Sequence, residues 1–147
     1  MTALGLMMMV SSISGLGGTS LEQVPAVLVP NVSGESITVE EYVRNYFSDI
    51  PIMVEIARCE SRFRQYDKNG KVLRGEVNSL DRGVMQINEY YHEEDSEKLG
   101  YDIMTIEGNT AYARYIFEKS GVRPWKSSAK CWNKTLAYSE YQELAMR

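Results

Sequence analysis

Glu60 is the side chain in this sequence best placed to do acid chemistry. On the helix that Pro51 opens, Ile52, Ile56, Cys59 and Phe63 recur at helical intervals as one apolar stripe, with Glu55, Arg58 and Arg62 on the opposite, solvated face. Glu60 falls on the apolar side. A carboxyl group beside aliphatic and aromatic neighbours loses hydration, which disfavours its charged form and raises its pKa. Such a group holds its proton near neutral pH and can deliver it to a leaving oxygen. The competing reading is a glutamate at a helix end, held in a salt bridge by Arg64 or Arg114.

The other reactive side chains exclude more than they suggest. Cys59 and Cys131 stand too far apart for a CxxC redox pair or a zinc knuckle. They are either two buried thiols or a disulfide joining the middle of the chain to its end. Such a bridge would contribute roughly 4 kcal/mol and require an oxidising compartment. The single histidine, His92, sits among Tyr90, Tyr91, Glu93 and Glu94 and reads as a solvated surface residue. One histidine and two thiols are too few soft ligands for a zinc site. Asp67 and Asn69 suggest a calcium loop, but the EF-hand spacing fails at Lys71 and lacks the closing glutamate. No Gly-rich phosphate loop occurs, and neither a metal nor a cofactor is implied.

Glu60-Ser61-x-Phe63 is followed, across a candidate hairpin, by Asp81-x-Gly83-Val84-Met85-Gln86-Ile87-Asn88. This pairing resembles the lysozyme-like superfamily and, within it, the soluble lytic transglycosylase branch. The Gln-Ile-Asn segment is also similar to animal-type lysozymes. The resemblance covers residues 50–132, with Asn109, Ala111, Tyr112 and Tyr115 fitting the family's next segment more loosely. It implies an α+β, mainly α fold with a small β-hairpin and a substrate cleft between hairpin and helices. It also implies cleavage of peptidoglycan glycan strands, with Glu60 as general acid and base. By the same resemblance Ser61 helps to orient Glu60 or the sugar, Gly83 lets the backbone approach the saccharide, and Met85 and Gln86 line the cleft and contact N-acetyl groups. Asn88 is structural, and core packing is the alternative for Met85 and Ile87.

One family segment has no match. In place of Ala-Tyr-Asn-x-Gly, whose tyrosine supports the catalytic glutamate, stands Arg123-Pro124-Trp125-Lys126-Ser127-Ser128, ending in Cys131-Trp132. Tyr112, Tyr115 and Trp125 are the candidates to orient Glu60. Trp125 could form the apolar wall beside it, stack on a sugar ring, or serve as a core tryptophan. A bond between Cys59 and Cys131 would tie residues 125–132 to the residue next to Glu60.

Two reactions fit. Glycoside hydrolysis usually uses two carboxylates, and Asp81 sits where lysozymes place their second, although it could equally cap a helix after Gly83. A lytic transglycosylase manages with Glu60 alone. It protonates the bond after N-acetylmuramic acid, then takes the proton of that sugar's own C6 hydroxyl, leaving a 1,6-anhydro end. The Met-Gln-Ile form of the motif favours transglycosylase, which is the preferred reading, and Asp81 favours hydrolysis. A wall-binding module without turnover and a plain structural protein are the remaining readings.

These residues need elements to hold them. Thr38 followed by Glu41 opens a first helix with Tyr42, Val43, Tyr46 and Phe47 as its apolar stripe. Pro51 suits the first turn of a second. Lys68-Asn69-Gly70-Lys71 is a tight-turn signal and predicts a hairpin over residues 66–77. A short helix is expected over 84–91, another near Ser96, and a longer one over 105–119 that Gly121 and Pro124 stop. A last helix covers 135–146. No internal repeat is visible.

The whole sequence suits one compact domain. It has 147 residues, 44% of them hydrophobic, enough for one sizeable core. With 16 basic against 20 acidic residues and no basic cluster, nucleic acid is not expected as a partner. The first 43 residues contain no Lys or Arg. Residues 1–10 form an apolar run too short to span a bilayer, fading into a Ser- and Gly-rich stretch. That length suits the hydrophobic part of a signal peptide, with Gly15 and Gly17 as the small-x-small pattern, but the basic leading segment is missing. Residues 1–20 are therefore read as a signal peptide, with a flexible tail or an uncleaved membrane anchor as alternatives. Residues 21–36, with Pro25 and Pro30, read as a linker or extended arm, and 37–147 as the catalytic domain. An exported monomer acting on peptidoglycan is the expectation.

Overall fold

The computed structural model describes residues 27–147 apart from Val32. The expected signal peptide, tail or anchor over residues 1–20 lies outside the described residues, as does the start of the expected arm. Among the described residues no helix is long and apolar enough to cross a membrane.

The chain enters through a short antiparallel hairpin, β1 (Leu28–Pro30) and β2 (Ser36–Thr38), with Val29 opposite Ile37. Val29 is buried while Leu28 and Pro30 are exposed, the alternation a strand with one covered face requires. The Asn31 side chain closes the turn by accepting the N–H groups of Ser33 and Glu35, each at 2.9 Å. This part of the expected arm is therefore a hairpin docked on the core. Helix α1 (Val39–Tyr46) starts where expected, because the Thr38 hydroxyl accepts the Glu41 N–H at 3.1 Å. Val39, Val43 and Phe47 bury one face of it. Helix α2 (Pro51–Ser61) follows with Pro51 in its first turn, and buries Ile52, Met53, Ile56 and Ala57.

The middle of the chain departs from the expected elements. The hairpin over 66–77 is reduced to a single bridge, Tyr66 with Val72, around a turn that the Asp67 carboxylate holds through the N–H groups of Asn69 and Lys71 at 2.8 and 2.9 Å. The regular strands come later, β3 (Asp81–Arg82) pairing antiparallel with β4 (Ile87–Asn88). No helix spans 84–91. Residues Gly83 and Gln86 have φ of +66° and +50°, in the left-handed region, which closes a hairpin turn and prevents a right-handed helix. The N–H groups of Val84 and Met85 are taken by the side chains of Gln65 and Asn109, at 2.8 and 2.9 Å. A single helix α3 (Glu89–Lys98) replaces the two expected. Its start is pinned to β3 by the ion pair of buried Arg82 with Glu89.

Helix α4 (Ile106–Ser120) is capped by Thr105, whose hydroxyl accepts the Gly108 N–H at 3.0 Å, and it ends at Gly121. A 3-10 helix (Arg123–Ser128), α5 (Ala129–Trp132) and α6 (Leu136–Ala145) complete the chain. Cys59 and Cys131 form a disulfide that joins α2 to α5, with Cα atoms 6.0 Å apart. The fold is thus mainly helical with small antiparallel sheets, around one core that draws on α1, α2, the β3–β4 turn, α4 and both tryptophans.

Candidate active site

The end of α2, the β3–β4 hairpin, α3 and the 3-10 helix meet around a cleft of about 160 Å³, lined by Glu60, Asp81, Gln86, Ile87, Asn88, His92, Ile116, Pro124, Trp125 and Ser127. Glu60 lies one residue beyond the disulfide and is partly buried. Burial pushes its pKa above the ordinary carboxylate value. A hydrogen bond from Ser128 opposes that shift, and the charge of Asp81 adds to it. Neither arginine that could have neutralised Glu60 does so. Arg64 donates to the Ser61 carbonyl at 2.9 Å, and Arg114 is forked onto Asp49 at 2.7 and 2.8 Å.

Ser128 is the residue that holds Glu60. Its hydroxyl lies 2.6 Å from Glu60 Oε1 and 3.0 Å from the Trp125 carbonyl, and it accepts the Trp132 indole N–H at 2.9 Å. A hydroxyl both donates and accepts. With Glu60 ionised, Ser128 donates to the carboxylate; with Glu60 protonated, it can accept from Glu60 and donate to the Trp125 carbonyl. The group beside the acid thus satisfies both of its states. Tyr112 and Tyr115, expected as possible supports, stack on each other with ring centroids 5.7 Å apart. Neither bonds Glu60. Trp125 is both wall and core: it lines the cleft, is 3% exposed, and donates from Nε1 to the Met85 carbonyl at 2.9 Å.

Asp81 and Gln86 also line the cleft. Asp81 does not cap a helix; it pairs across the hairpin with Asn88, whose side-chain amide donates to Asp81 Oδ1 at 2.7 Å. Gln86 is aimed by its own bond to the Gly83 carbonyl at 2.8 Å.

Three expected contact residues lie elsewhere. Ser61 is 1% exposed and turned inward, where its hydroxyl donates to the Ala57 carbonyl at 3.2 Å and accepts the Arg64 N–H at 3.1 Å. It terminates α2 and bonds neither Glu60 nor anything in the cleft. Met85 is fully buried and belongs to the core. Gly83 makes room for protein, since a Cβ there would come within 2.5 Å of Gln65 Oε1 and 2.7 Å of Asn109 Nδ2. These two buried side chains clamp the hairpin: Gln65 also donates to the Met104 carbonyl at 3.0 Å, and Asn109 to those of Arg82 and Ile103 at 3.0 and 2.8 Å.

Two residues of the site were missed, Ser128 behind Glu60 and His92 in the cleft lining. Sequence could have found Ser128, since it precedes Cys131 by one helical turn and a bond to Cys59 brings that turn beside Glu60. His92 is not a solvated surface residue. It lies one helical turn after Asn88 on the same face of α3, lines the cleft, and has Nδ1 3.1 Å from the Tyr112 hydroxyl. A larger hollow of about 750 Å³ lies between α1 and the loop after α2, but its carboxylates are already engaged. Glu40 is paired with Arg44 and Asp67 with turn N–H groups. It offers no counterpart to Glu60.

Comparison with protein-family models, with curated proteins and with solved structures finds no match to this chain.

Proposed function

We propose that this chain is a lytic transglycosylase with a lysozyme-like catalytic domain, cleaving the β-1,4 bond between N-acetylmuramic acid and N-acetylglucosamine in peptidoglycan. The observation that carries this reading is Glu60, a carboxyl held towards its protonated form by burial, facing a cleft, and bonded to a hydroxyl that serves both protonation states. A raised pKa is what a general acid needs near neutral pH. Glu60 gives its proton to the bridging oxygen as the bond to the anomeric carbon breaks. The resulting carboxylate then removes the proton of the C6 hydroxyl, whose oxygen closes on the anomeric carbon as a 1,6-anhydro ring. Ser128 turns from accepting to donating as Glu60 ionises and so follows both steps. No cofactor enters this scheme.

The hydrolase alternative is favoured by one observation: Asp81 lines the same cleft and is held by Asn88, as a second carboxylate would be. The disulfide supports work in an oxidising compartment, and the proposed site of action is outside the cytoplasm, as a monomer on glycan strands. Mass spectrometry of peptidoglycan digested by the wild-type protein tests the reaction class. The transglycosylase reading requires anhydro ends, lighter by one water than hydrolysed ends. Hydrated ends would replace it by the hydrolase reading, and binding without any released fragment would leave a wall-binding module.

A further inference from the structure

His92 is a polar side chain of the cleft to which the proposed reaction gives no task. His92 lines the cleft from α3, and its Nδ1 is engaged by the Tyr112 hydroxyl. Tyr112 is 2% exposed, and its hydroxyl has no other hydrogen-bond partner among the described residues. A buried O–H with one acceptor in reach donates to it. Tyr112 donating to Nδ1 is the arrangement that leaves its hydroxyl hydrogen paired, and it would place the imidazole hydrogen on Nε2. Burial also holds the His92 pKa below its ordinary value, while Asp95 on the same helix opposes this. The ring is fixed as well as polarised: it stands edge-on to Tyr112, with centroids 5.6 Å apart, and Tyr112 is backed by Tyr115 and Tyr101. Nε2 bonds no described protein group and is not among the buried atoms that lack a partner. A fixed, unspent N–H donor therefore remains on a residue that lines the cleft.

We infer that His92, locked by Tyr112, is the specificity residue of this cleft, its Nε2–H holding the carbonyl oxygen of a sugar's 2-acetamido group. The inference rests on the saccharide-cleaving reading above and adds the group that is recognised. An amide carbonyl is the strongest neutral acceptor on an N-acetylated sugar, and a donor that cannot turn into an acceptor selects for it. A sugar without the acetamido group leaves that donor unpaired once water is displaced, which costs affinity. Glu60 and Asp81 also line this space; Asp81 is an acceptor and the Glu60 proton goes to the bridging oxygen, so neither competes for the acetamido carbonyl.

The test uses full-length protein carrying Glu60→Gln, which binds without cleaving, titrated by calorimetry with β-1,4-linked oligomers of N-acetylglucosamine and of glucose. Adding His92→Phe together with Tyr112→Phe removes donor and lock while keeping both rings and leaving neither partner orphaned. This variant is expected to lose about two- to tenfold in affinity for the acetylated oligomer, the range of one hydrogen bond. Its affinity for the glucose oligomer should not fall, since no donor is then left unpaired, so the ratio of the two affinities narrows. His92 is the single histidine, so its imidazole gives one set of nitrogen resonances. These should show hydrogen on Nε2 and move when the acetylated oligomer is added. Equal affinity in the double variant, hydrogen on Nδ1, or binding that leaves the His92 signals unmoved overturns this inference alone. Failure of the acetylated oligomer to bind at all overturns the parent reading with it.

Discussion

At the scale of the residue, the proposed chemistry reduces to one carboxyl and one hydroxyl. The Ser128 hydrogen bond favours the charged form of Glu60 and so works against burial. Ser128→Ala removes that opposition, and the Glu60 pKa should rise further. The alkaline limb of the pH profile of kcat/KM is then expected to move to higher pH, with the maximal rate lower by about three- to tenfold as the carboxyl loses its anchor. A limb that moves to lower pH would contradict this assignment. The same burial has a cost in stability. Folded Glu60 keeps its proton where the unfolded chain has released it, so stability declines as pH rises from the ordinary glutamate range through the raised pKa. Glu60→Gln cannot ionise. Its thermal midpoint should match that of the wild type at about pH 4 and exceed it at about pH 8, as calorimetry at both values would show.

At the scale of the element, the disulfide joins the proposed catalysis to stability, because it fastens α5, and with it the turn carrying Ser128, to the end of α2. Replacing Cys59 and Cys131 together by alanine should lower stability by about 4 kcal/mol in the chain-entropy account. The pH profile should shift in the direction of Ser128→Ala, since the same hydroxyl is loosened. Denaturant unfolding and the profile read the two effects separately. Helices α1, α2, α4 and α6 were legible in sequence because their starts carry local signals: Thr38, Pro51, Thr105 and Thr135. The helix expected over 84–91 was not, although its residues permit one. What decides against it is the capture of the Val84 and Met85 N–H groups by Gln65 and Asn109, side chains 19 and 24 positions away. Local pattern does not carry a contact of that range.

At the scale of the whole molecule, the cleft gathers residues from across the chain, from Glu60 to Ser127. Glu60, Asp81, Gln86 and Trp125 could be picked out as candidates before any coordinates, from an acid on an apolar stripe and a motif downstream of it. Ser61, Gly83 and Met85 belong to the same motif but serve packing: Ser61 closes α2 on the Ala57 carbonyl, and Gly83 and Met85 lie in the buried turn that Gln65 and Asn109 clamp from behind. His92 escaped notice since what places it, a buried tyrosine, acts only in the folded chain, whereas Ser128 was within reach of the weighed Cys59–Cys131 bond. Every proposed step requires Glu60 to act as a proton donor in that cleft. The most direct test is the rate of peptidoglycan clearing by the wild type and by Glu60→Gln, across pH, with circular dichroism confirming that both are folded. The wild type should clear the substrate and lose rate as pH rises through the elevated Glu60 pKa, and the variant should clear none. Equal clearing by the two proteins would contradict the account.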